Sequence, residues 1–143
     1  MTFWDSSALL PLIVEEARSR ACRQVRKTHP AIVVWALTRT ELTSAIHRLV
    51  REGRLERAEL AAASRRVEIL SDRWSEITAL GAVRERAERA LGAHPLTAAD
   101  ALQLGAALLL VGERPRRRPF VTCDDRLGAA AEAEGFTVVT PRS

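Results

Sequence analysis

Residues 31–36, AIVVWA, are apolar throughout and show no alternation of polar and apolar positions. That pattern is typical of a strand covered on both faces, as in a parallel sheet between two layers of helices. Expected strands cover residues 2–4, 31–36, 120–123 and 137–139, with an extended stretch at 76–78, and expected helices cover 8–14, 15–27, 38–52, 56–74, 82–91, 97–111 and 126–134. This order of strands and helices predicts an α/β protein with three layers, α/β/α, and a mainly parallel central sheet.

The 143 residues are expected to form a single domain, 1–143, because chains of this length can bury one full core. Lys and Arg exceed Asp and Glu by 22 to 18, a modest positive excess that permits a polyanionic partner. Cys22 and Cys123 have no zinc spacing and lie in separate elements, so neither a zinc site nor a disulfide framework is expected. The N-terminal segment lacks signal-peptide features and residues 101–111 are too short to span a bilayer, which predicts a cytoplasmic protein without a membrane segment.

Four carboxylates follow an expected strand or lie one turn into an expected helix: Asp5, Glu41, Asp100 and Asp124. In an open parallel sheet, these positions converge on the edge formed by the carboxyl ends of the strands. Two carboxylates about 5 Å apart repel by roughly 3 kcal/mol at an effective dielectric constant of about 20, so such a cluster requires a cation or must protonate. Oxygen ligands favour Mg²⁺ or Mn²⁺, ions that commonly act on phosphate oxygens. The cluster therefore predicts phosphodiester chemistry.

Each of these acids also has a purely structural explanation. The spacing of a capping box occurs twice, in Thr38 with Glu41 and in Thr97 with Asp100. Asp5 and Asp124 are each suited to cap the helix that follows them. Capping explains each position taken singly, whereas the shared location of all four at one sheet edge favours a metal site.

Other side chains add supporting interpretations. Ser7 and Thr122 flank two of the acids and are expected to hydrogen-bond a carboxylate or a metal-bound water. Arg48 is a candidate for contact with RNA, and so is a basic loop with four arginines, Arg114, Arg116, Arg117 and Arg118. Such a loop is as often a solvated connection between two elements as a nucleic-acid contact. The three histidines lack metal spacing, and no nucleotide-binding or nucleophile-elbow motif occurs.

Four segments occur in order along nearly the whole chain: the opening strand with DSSALL, then TRTELTSAIHR, HPLTAADALQLGAALLL and FVTCDDRLGAAAEAEGF. Together they resemble the PIN domain and, within that family, the VapC toxins of prokaryotic toxin–antitoxin pairs. By this resemblance Asp5, Glu41, Asp100 and Asp124 occupy the acidic metal-binding positions. Ser7 and Thr122 match the small hydroxyl residues beside the first and last acids.

The resemblance implies a PIN-like fold and an endoribonuclease that depends on Mg²⁺ or Mn²⁺. It further implies an RNA substrate, a homodimer, and a small cognate antitoxin protein that forms a heterooligomer with the toxin. The doublet Asp124-Asp125 leaves the register of the fourth ligand open, and Asp124 is chosen because it keeps the Thr-x-Asp spacing from Thr122.

The expected mechanism is metal-assisted hydrolysis of RNA by water, leaving a 5′-phosphate and a 3′-hydroxyl. A receiver-type phosphoacceptor also gathers acids at a sheet edge, but it needs a late-strand lysine, and Lys27 is the only lysine. The alternative function is a catalytically silent PIN-like module that binds RNA or protein without cutting.

Overall fold

The chain is described by a computed structural model over residues 1–142, and it contains one five-stranded sheet in which every pairing is parallel. The strands are β1 (Thr2–Trp4), β2 (Ile32–Trp35), β3 (Ser75–Ile77), β4 (Pro119–Val121) and β5 (Thr137–Val139), in the spatial order β3-β2-β1-β4-β5. The helices are α1 (Ser6–Ile13), α2 (Ser19–Thr28), α3 (Thr38–Arg51), α4 (Leu60–Ser71), α5 (Leu80–Ala93), α6 (Ala98–Leu110) and α7 (Asp125–Glu134). Over these residues, no helix has both the length and the apolar character to cross a membrane.

Helices cover both faces of the sheet. Trp4 and Val121 point to the face covered by α1, α3 and α4, while Phe3 and Phe120 point to the face covered by α5, α6 and α7. This alternation follows from the period-2 geometry of a strand, and it divides the core into two apolar clusters. The three-layer α/β/α fold expected from the sequence is confirmed.

The first two helices begin at different residues from those expected. Helix α1 begins at Ser6 rather than residue 8, because the Asp5 carboxylate caps it by accepting the Ser7 N–H. Helix α2 begins at Ser19 rather than residue 15. Here the Ser19 hydroxyl accepts the N–H of Glu16 and donates to the carbonyl of Val14, which holds the intervening residues in a turn.

Two later elements also differ in extent. The segment expected as one helix at 56–74 consists of a short 3₁₀ turn, Arg57–Glu59, followed by α4, because Glu56 and Glu59 form a reciprocal capping box at its start. Strand β4 ends at Val121 rather than at residue 123, since the backbone then turns into the cap of α7 at Asp124. The extended stretch near residue 76 is present as β3.

Helices α5 and α6 pack so closely that one position between them requires glycine. A Cβ atom built on Gly105 would lie 2.7 Å from the carbonyl oxygen of Val83 and 3.1 Å from the backbone nitrogen of Ala87. Both atoms belong to the backbone of α5 and cannot move aside as a flexible side chain would. Gly105 therefore fixes the separation of the two helices, and α6 carries Asp100 in its first turn.

We expect Gly105→Ala to lower the free energy of unfolding by roughly 1–3 kcal/mol, because the added methyl group forces α5 and α6 apart. Gly81→Ala is the matched control: Gly81 lies in α5, and a Cβ built there has no atom within 4 Å. This control should be neutral or stabilising by up to about 1 kcal/mol, as alanine is the better helix former. Urea unfolding monitored by circular dichroism measures both changes, and equal effects would refute the close-approach argument.

Candidate functional site

The order of the strands creates a crevice at the carboxyl ends of β1 and β4. The chain runs from β1 outward to β2 and β3 on one side, and from β4 to β5 on the other, so the direction of winding reverses between these two central strands. Ligands of open α/β sheets bind at such switch points. Asp5 directly follows β1, and Asp124 lies three residues beyond the end of β4.

Asp5 is almost completely buried, with 3% of its surface exposed. One carboxylate oxygen accepts the Ser7 hydroxyl at 2.8 Å, and the other accepts the Ser7 N–H at 3.3 Å. The residue is therefore the N-cap of α1 as well as a member of the acidic edge, so capping and a role at the site coexist.

A hydrogen-bond network links the β1–α1 turn to the β4–α7 turn. The Ser7 oxygen accepts the backbone N–H of Cys123 at 2.9 Å and lies 3.2 Å from the Thr122 hydroxyl. Since the Ser7 hydroxyl donates its only proton to Asp5, Thr122 is the donor to Ser7. The Thr122 oxygen in turn accepts the backbone N–H of Asp124 at 3.0 Å. Ser7 and Thr122 together fix the relative position of the two turns.

Asp124 caps α7, with one carboxylate oxygen accepting the Leu127 N–H at 2.9 Å. Its neighbour Asp125 is exposed in the first turn of the helix, where its charge acts on Arg18. Of the two residues in the doublet, Asp124 is the one whose charge acts on Asp5 and Asp100.

Glu41 and Asp100 lie in the first turns of α3 and α6. The Thr97 hydroxyl accepts the N–H of Asp100 at 3.2 Å and caps α6. The capping box suggested by Thr38 and Glu41 is absent, because Thr38 is already inside α3. The Glu41 carboxylate instead accepts a hydrogen bond from a side chain of α6.

That side chain is Gln103, which the sequence reasoning missed. It is 1% exposed, and its amide nitrogen donates to the Glu41 carboxylate and, at 3.2 Å, to the Thr38 hydroxyl. Its amide oxygen is buried and has no hydrogen-bond partner in the structure. A glutamine three residues after Asp100 lies on the same side of the helix, which is the one sequence signal that could have identified it.

Each of the four acids repels at least one other. Asp124 repels both Asp5 and Asp100, and Asp100 repels Glu41. Burial raises the pKa of Asp5 from 3.8 to about 7 and the charge of Asp124 adds to the rise, while the hydrogen bonds from Ser7 and the neighbouring Thr122 hydroxyl oppose it. Burial also raises the pKa values of Glu41 and Asp100. Without a cation, the protein therefore stabilises the ionised form of this cluster poorly.

The donor set fits a hard divalent cation by its chemistry, since all four candidate ligands are carboxylates. Burial, with a smaller effect from the neighbouring acids, raises the pKa values of Asp5, Glu41 and Asp100, and a bound cation would oppose this rise. The carboxylates are not, however, already arranged around a common point where an ion could bind. Among residues 1–142, no three His, Cys, Asp or Glu side chains converge closely enough to hold an ion together. The site accordingly consists of neighbouring acids at one edge, and two of them, Asp5 and Asp124, are turned toward helix caps.

The arginines expected to contact RNA lie in two different places. Arg48 lines a cavity of about 580 Å³ between α1 and α3, and Ser7 and Glu41 line the same cavity. The loop with Arg116, Arg117 and Arg118 precedes β4 and therefore lies at the opposite edge of the sheet from the acids. The three residues of β4 separate it from the turn that carries Asp124. A basic residue missed by sequence reasoning, Arg126, is close enough to lower the pKa of Asp100.

The cavity between α1 and α3 is a groove that begins at the acidic edge and continues over an apolar floor. Its lining residues are Ser6, Ser7, Leu10, Leu37, Thr40, Glu41, Leu42, Ser44, Ala45 and Arg48. We call this surface the α1–α3 groove. An extended polymer bound in this groove would contact both Arg48 and Glu41.

Comparison with known proteins gives a family and a fold. The PIN domain family model matches residues 2–133. None of the curated proteins matches the chain in sequence. The fold is similar to that of a toxin–antitoxin complex from Klebsiella pneumoniae, at 18% identity and a TM-score of 0.65, covering 100% of this chain and 99% of that one. It is also similar to PAE2754 from Pyrobaculum aerophilum, at 25% identity and a TM-score of 0.60, covering 96% and 88%.

The burial of Asp5 predicts how the stability of the metal-free protein depends on pH. Because the folded pKa of about 7 exceeds the unfolded value of 3.8, the folded state binds more protons between these limits, and stability falls as pH rises from about 4 to 7. Asp5→Asn should remove that contribution and make the protein more stable at pH 8 by roughly 2–4 kcal/mol, since asparagine also caps helices.

Thermal melting in the presence of a chelator, at several pH values, measures the effect. The exposed Asp125 supplies the control, because Asp125→Asn should keep the wild-type pH dependence. Identical pH dependence in wild type and Asp5→Asn would show that Asp5 is not the titrating group.

Proposed function

Because the chain belongs to the PIN domain family, we propose that it is a metal-dependent endoribonuclease that hydrolyses RNA phosphodiester bonds, and that it is the toxin of a VapBC-type toxin–antitoxin pair. The observation that carries the proposal is the electrostatic linkage of the four acids at the switch point of the sheet. A surplus of partly buried negative charge at a ligand-binding crevice is unfavourable in the free protein and becomes favourable with a cation. The chain as a whole is proposed to form one nuclease domain.

In this proposal Asp5, Asp100 and Asp124 hold Mg²⁺ or Mn²⁺, and Glu41 assists either through water or as a base. The bound ion would supply a Lewis acid that orients the scissile phosphate, lowers the pKa of a water and stabilises the leaving oxygen. The raised pKa of Glu41 suits proton acceptance, because a base is most effective when its pKa approaches the working pH.

The surrounding side chains keep the acids in place. Ser7 and Thr122 hold the turns of Asp5 and Asp124 together, and the Gln103 amide holds the Glu41 carboxylate. Arg48 lies on the same groove as Glu41 and is the cation best placed to hold the RNA backbone beside the acids. Arg116, Arg117 and Arg118 can contact only a more distant part of a large RNA.

The proposed protein partner is a small antitoxin, with the toxin itself a cytoplasmic homodimer that joins it in a heterooligomer. Support comes from the α1–α3 groove, which is apolar along Leu10, Leu42 and Ala45 and ends at the acidic edge. Such a groove suits an amphipathic helix or tail. The similar structure from Klebsiella pneumoniae is itself a toxin–antitoxin complex.

A silent PIN-like module that binds RNA or protein without cutting is the second candidate. The observation that favours it is the lack of three convergent ligand side chains among residues 1–142. Cleavage of RNA by the purified chain, dependent on added Mg²⁺ or Mn²⁺ and abolished by a chelator, separates the two candidates. A protein that binds RNA with no cleavage under any of these conditions would be the silent module.

The acidic doublet provides the sharpest test of the proposed ligands. Asp124→Asn should reduce Mn²⁺-dependent cleavage by more than about tenfold, since loss of a ligand typically lowers metal affinity or activity at least that much. Asp125→Asn, the matched control one residue away, should retain nearly full cleavage because its side chain is exposed and acts on Arg18. Greater damage from Asp125→Asn would move the fourth ligand by one residue.

The rise in melting temperature with Mn²⁺ provides a second readout for the same pair of variants. A ligand that binds only the folded state stabilises it by mass action, so the wild type and Asp125→Asn should respond and Asp124→Asn should respond less. Equal responses in all three proteins would place the ion elsewhere.

The toxin assignment predicts that expression of the chain alone arrests growth and that co-expression of the small neighbouring gene relieves it. Ala45→Arg should weaken binding of the purified product of that gene, because the added side chain fills the α1–α3 groove, and binding rather than growth is the readout because Arg48 and Glu41 line the same groove. Ala129→Arg, at an exposed position of α7, is the control and should bind that product as the wild type does. Unimpeded growth at high expression of a protein that is active in vitro would exclude the toxin role.

A further inference from the structure

Positive charge is concentrated in a cleft between the end of α2 and the end of α4. The cleft has a volume of about 630 Å³, and its lining residues are Arg23, Arg26, Lys27, Pro30, Ile32, Leu70 and Arg73. Four of these side chains are cationic, and no acid from the described residues 1–142 is among the lining residues. We call this surface the α2–α4 cleft.

The α2–α4 cleft lies at the edge of the sheet formed by the amino ends of the strands. Pro30 precedes β2 and Ile32 is the first residue of that strand, while Arg73 lies just before β3. The four acids lie at the other edge, where the strands end. The cleft is therefore separate from the candidate metal site.

The cations of the cleft are available to bind an anion. Arg23 forms an ion pair with Glu15 at 2.9 Å, in which both side chains are at least half exposed. An exposed pair of this kind contributes little to stability, so Arg23 can exchange Glu15 for another anion at little cost. Across the part of the chain that the structure describes, no carboxylate forms an ion pair with Arg26, Lys27 or Arg73.

Stabilisation of a helix end accounts for only part of this charge. Arg26 and Lys27 lie in the last turn of α2, where cations interact favourably with the helix dipole. That effect explains each residue taken singly. It does not explain why the cations of α2 meet Arg73, from the segment after α4, over a shared apolar floor of Ile32 and Leu70.

Further cations lie along the same edge. A smaller cavity of about 140 Å³ shares Arg26 and Leu70 with the cleft and adds Arg66. The basic loop that contains Arg116 and Arg117 leads into β4, and only β1 separates β4 from β2. At the usual strand spacing, the starts of β2 and β4 are about 10 Å apart. This extended distribution of cations fits the repeated charges of a polymer better than a single small anion.

We propose that the α2–α4 cleft binds the phosphate backbone of RNA, as a second contact surface at the opposite edge from the acids. The planar guanidinium groups of Arg23, Arg26 and Arg73 suit paired hydrogen bonds to phosphate oxygens. The apolar floor supports the alkyl parts of these side chains while their charged ends stay in water. Backbone contacts carry no sequence information, so the cleft adds affinity for a long RNA without selecting its sequence. The choice of RNA as the polyanion rests on the proposed function.

The experiment measures binding of a labelled single-stranded RNA by fluorescence anisotropy in EDTA, over a series of salt concentrations. EDTA prevents metal-dependent cleavage and leaves the acidic edge unfavourable for RNA, so the binding that persists reports on cations elsewhere. The double variant Lys27→Gln/Arg73→Gln should flatten the plot of log affinity against log salt concentration by about 1.4 in slope, because each phosphate contact with a single strand contributes about 0.7.

The matched control is Arg65→Gln/Arg84→Gln, which removes the same charge from exposed positions of α4 and α5 that do not line the cleft. This control should keep the wild-type slope. Equal slopes in the cleft variant and the control would overturn the proposal. Lys27 and Arg73 are exposed, so the cleft variant should melt at the wild-type temperature. If it melts lower, the single variant Lys27→Gln replaces it, with an expected change in slope of about 0.7.

Two further measurements separate this proposal from its alternatives. Polyglutamate should displace the labelled RNA much less well than unlabelled RNA does, and equal displacement at equal charge would assign the cleft to an acidic protein segment instead. With Mn²⁺ added, the cleft variant should show a higher KM for a long RNA and an unchanged kcat. Loss of cleavage in every protein, wild type included, would reject the proposed function while the salt slopes in EDTA still decide the role of the cleft.

Discussion

The Ser7 hydroxyl joins the two turns that bring Asp5 and Asp124 to one edge of the sheet, and the geometry of the candidate site depends on this junction. Ser7 donates to Asp5, accepts the N–H of Cys123 and accepts the hydroxyl proton of Thr122. No other described side chain contacts both turns through this many hydrogen bonds. Parallel pairing of β1 and β4 places the turns side by side, and the hydroxyl network then fixes their separation and the direction of the Asp5 carboxylate.

Burial and repulsion act together on the acidic edge. Asp5 has lost nearly all its contact with water, and Asp124 adds negative charge beside it, so the folded protein favours the protonated acid up to a pH of about 7. Helix N-termini at α1, α3, α6 and α7 supply partial positive charge but do not compensate for this loss of hydration. Backbone and hydroxyl donors hold the carboxylates of Asp5 and Asp124, and the Gln103 amide holds that of Glu41. The negative charge that lowers the stability of the free protein is the same charge that would attract a cation.

The parts of the fold that follow from local pattern could be predicted from the sequence. The apolar run around Val34 and the alternation of strands with helices determined the layer order and the parallel sheet, and the ordered segments identified the PIN family. Helix starts were harder, since a buried carboxylate at Asp5 and a hydroxyl at Ser19 decide them through single hydrogen bonds. The assignment of the four acids as metal ligands stays a prediction, although their placement along one edge supports it.

The parts that depend on tertiary packing could not be predicted. Gln103 meets Glu41 only because α6 packs beside the start of α3, and a single glutamine in an apolar helix carries no local signal of such a partner. The position of Arg117, in contrast, followed from strand polarity: a loop that enters a parallel strand lies at the edge opposite to the loop that leaves it.

Capping and ligand binding are often treated as competing explanations for an acid at the start of a helix, but the geometry of Asp124 shows how one side chain serves both. One carboxylate oxygen accepts the Leu127 N–H, which fixes the torsion angles of the side chain, and the hydrogen bond from Asp124 N–H to Thr122 fixes its backbone. The second oxygen is not used by the cap. An acid held in this way loses little further conformational entropy when it binds an ion, since its side chain is already ordered. An acid that caps a helix at the switch point of a sheet can therefore also serve as a metal ligand.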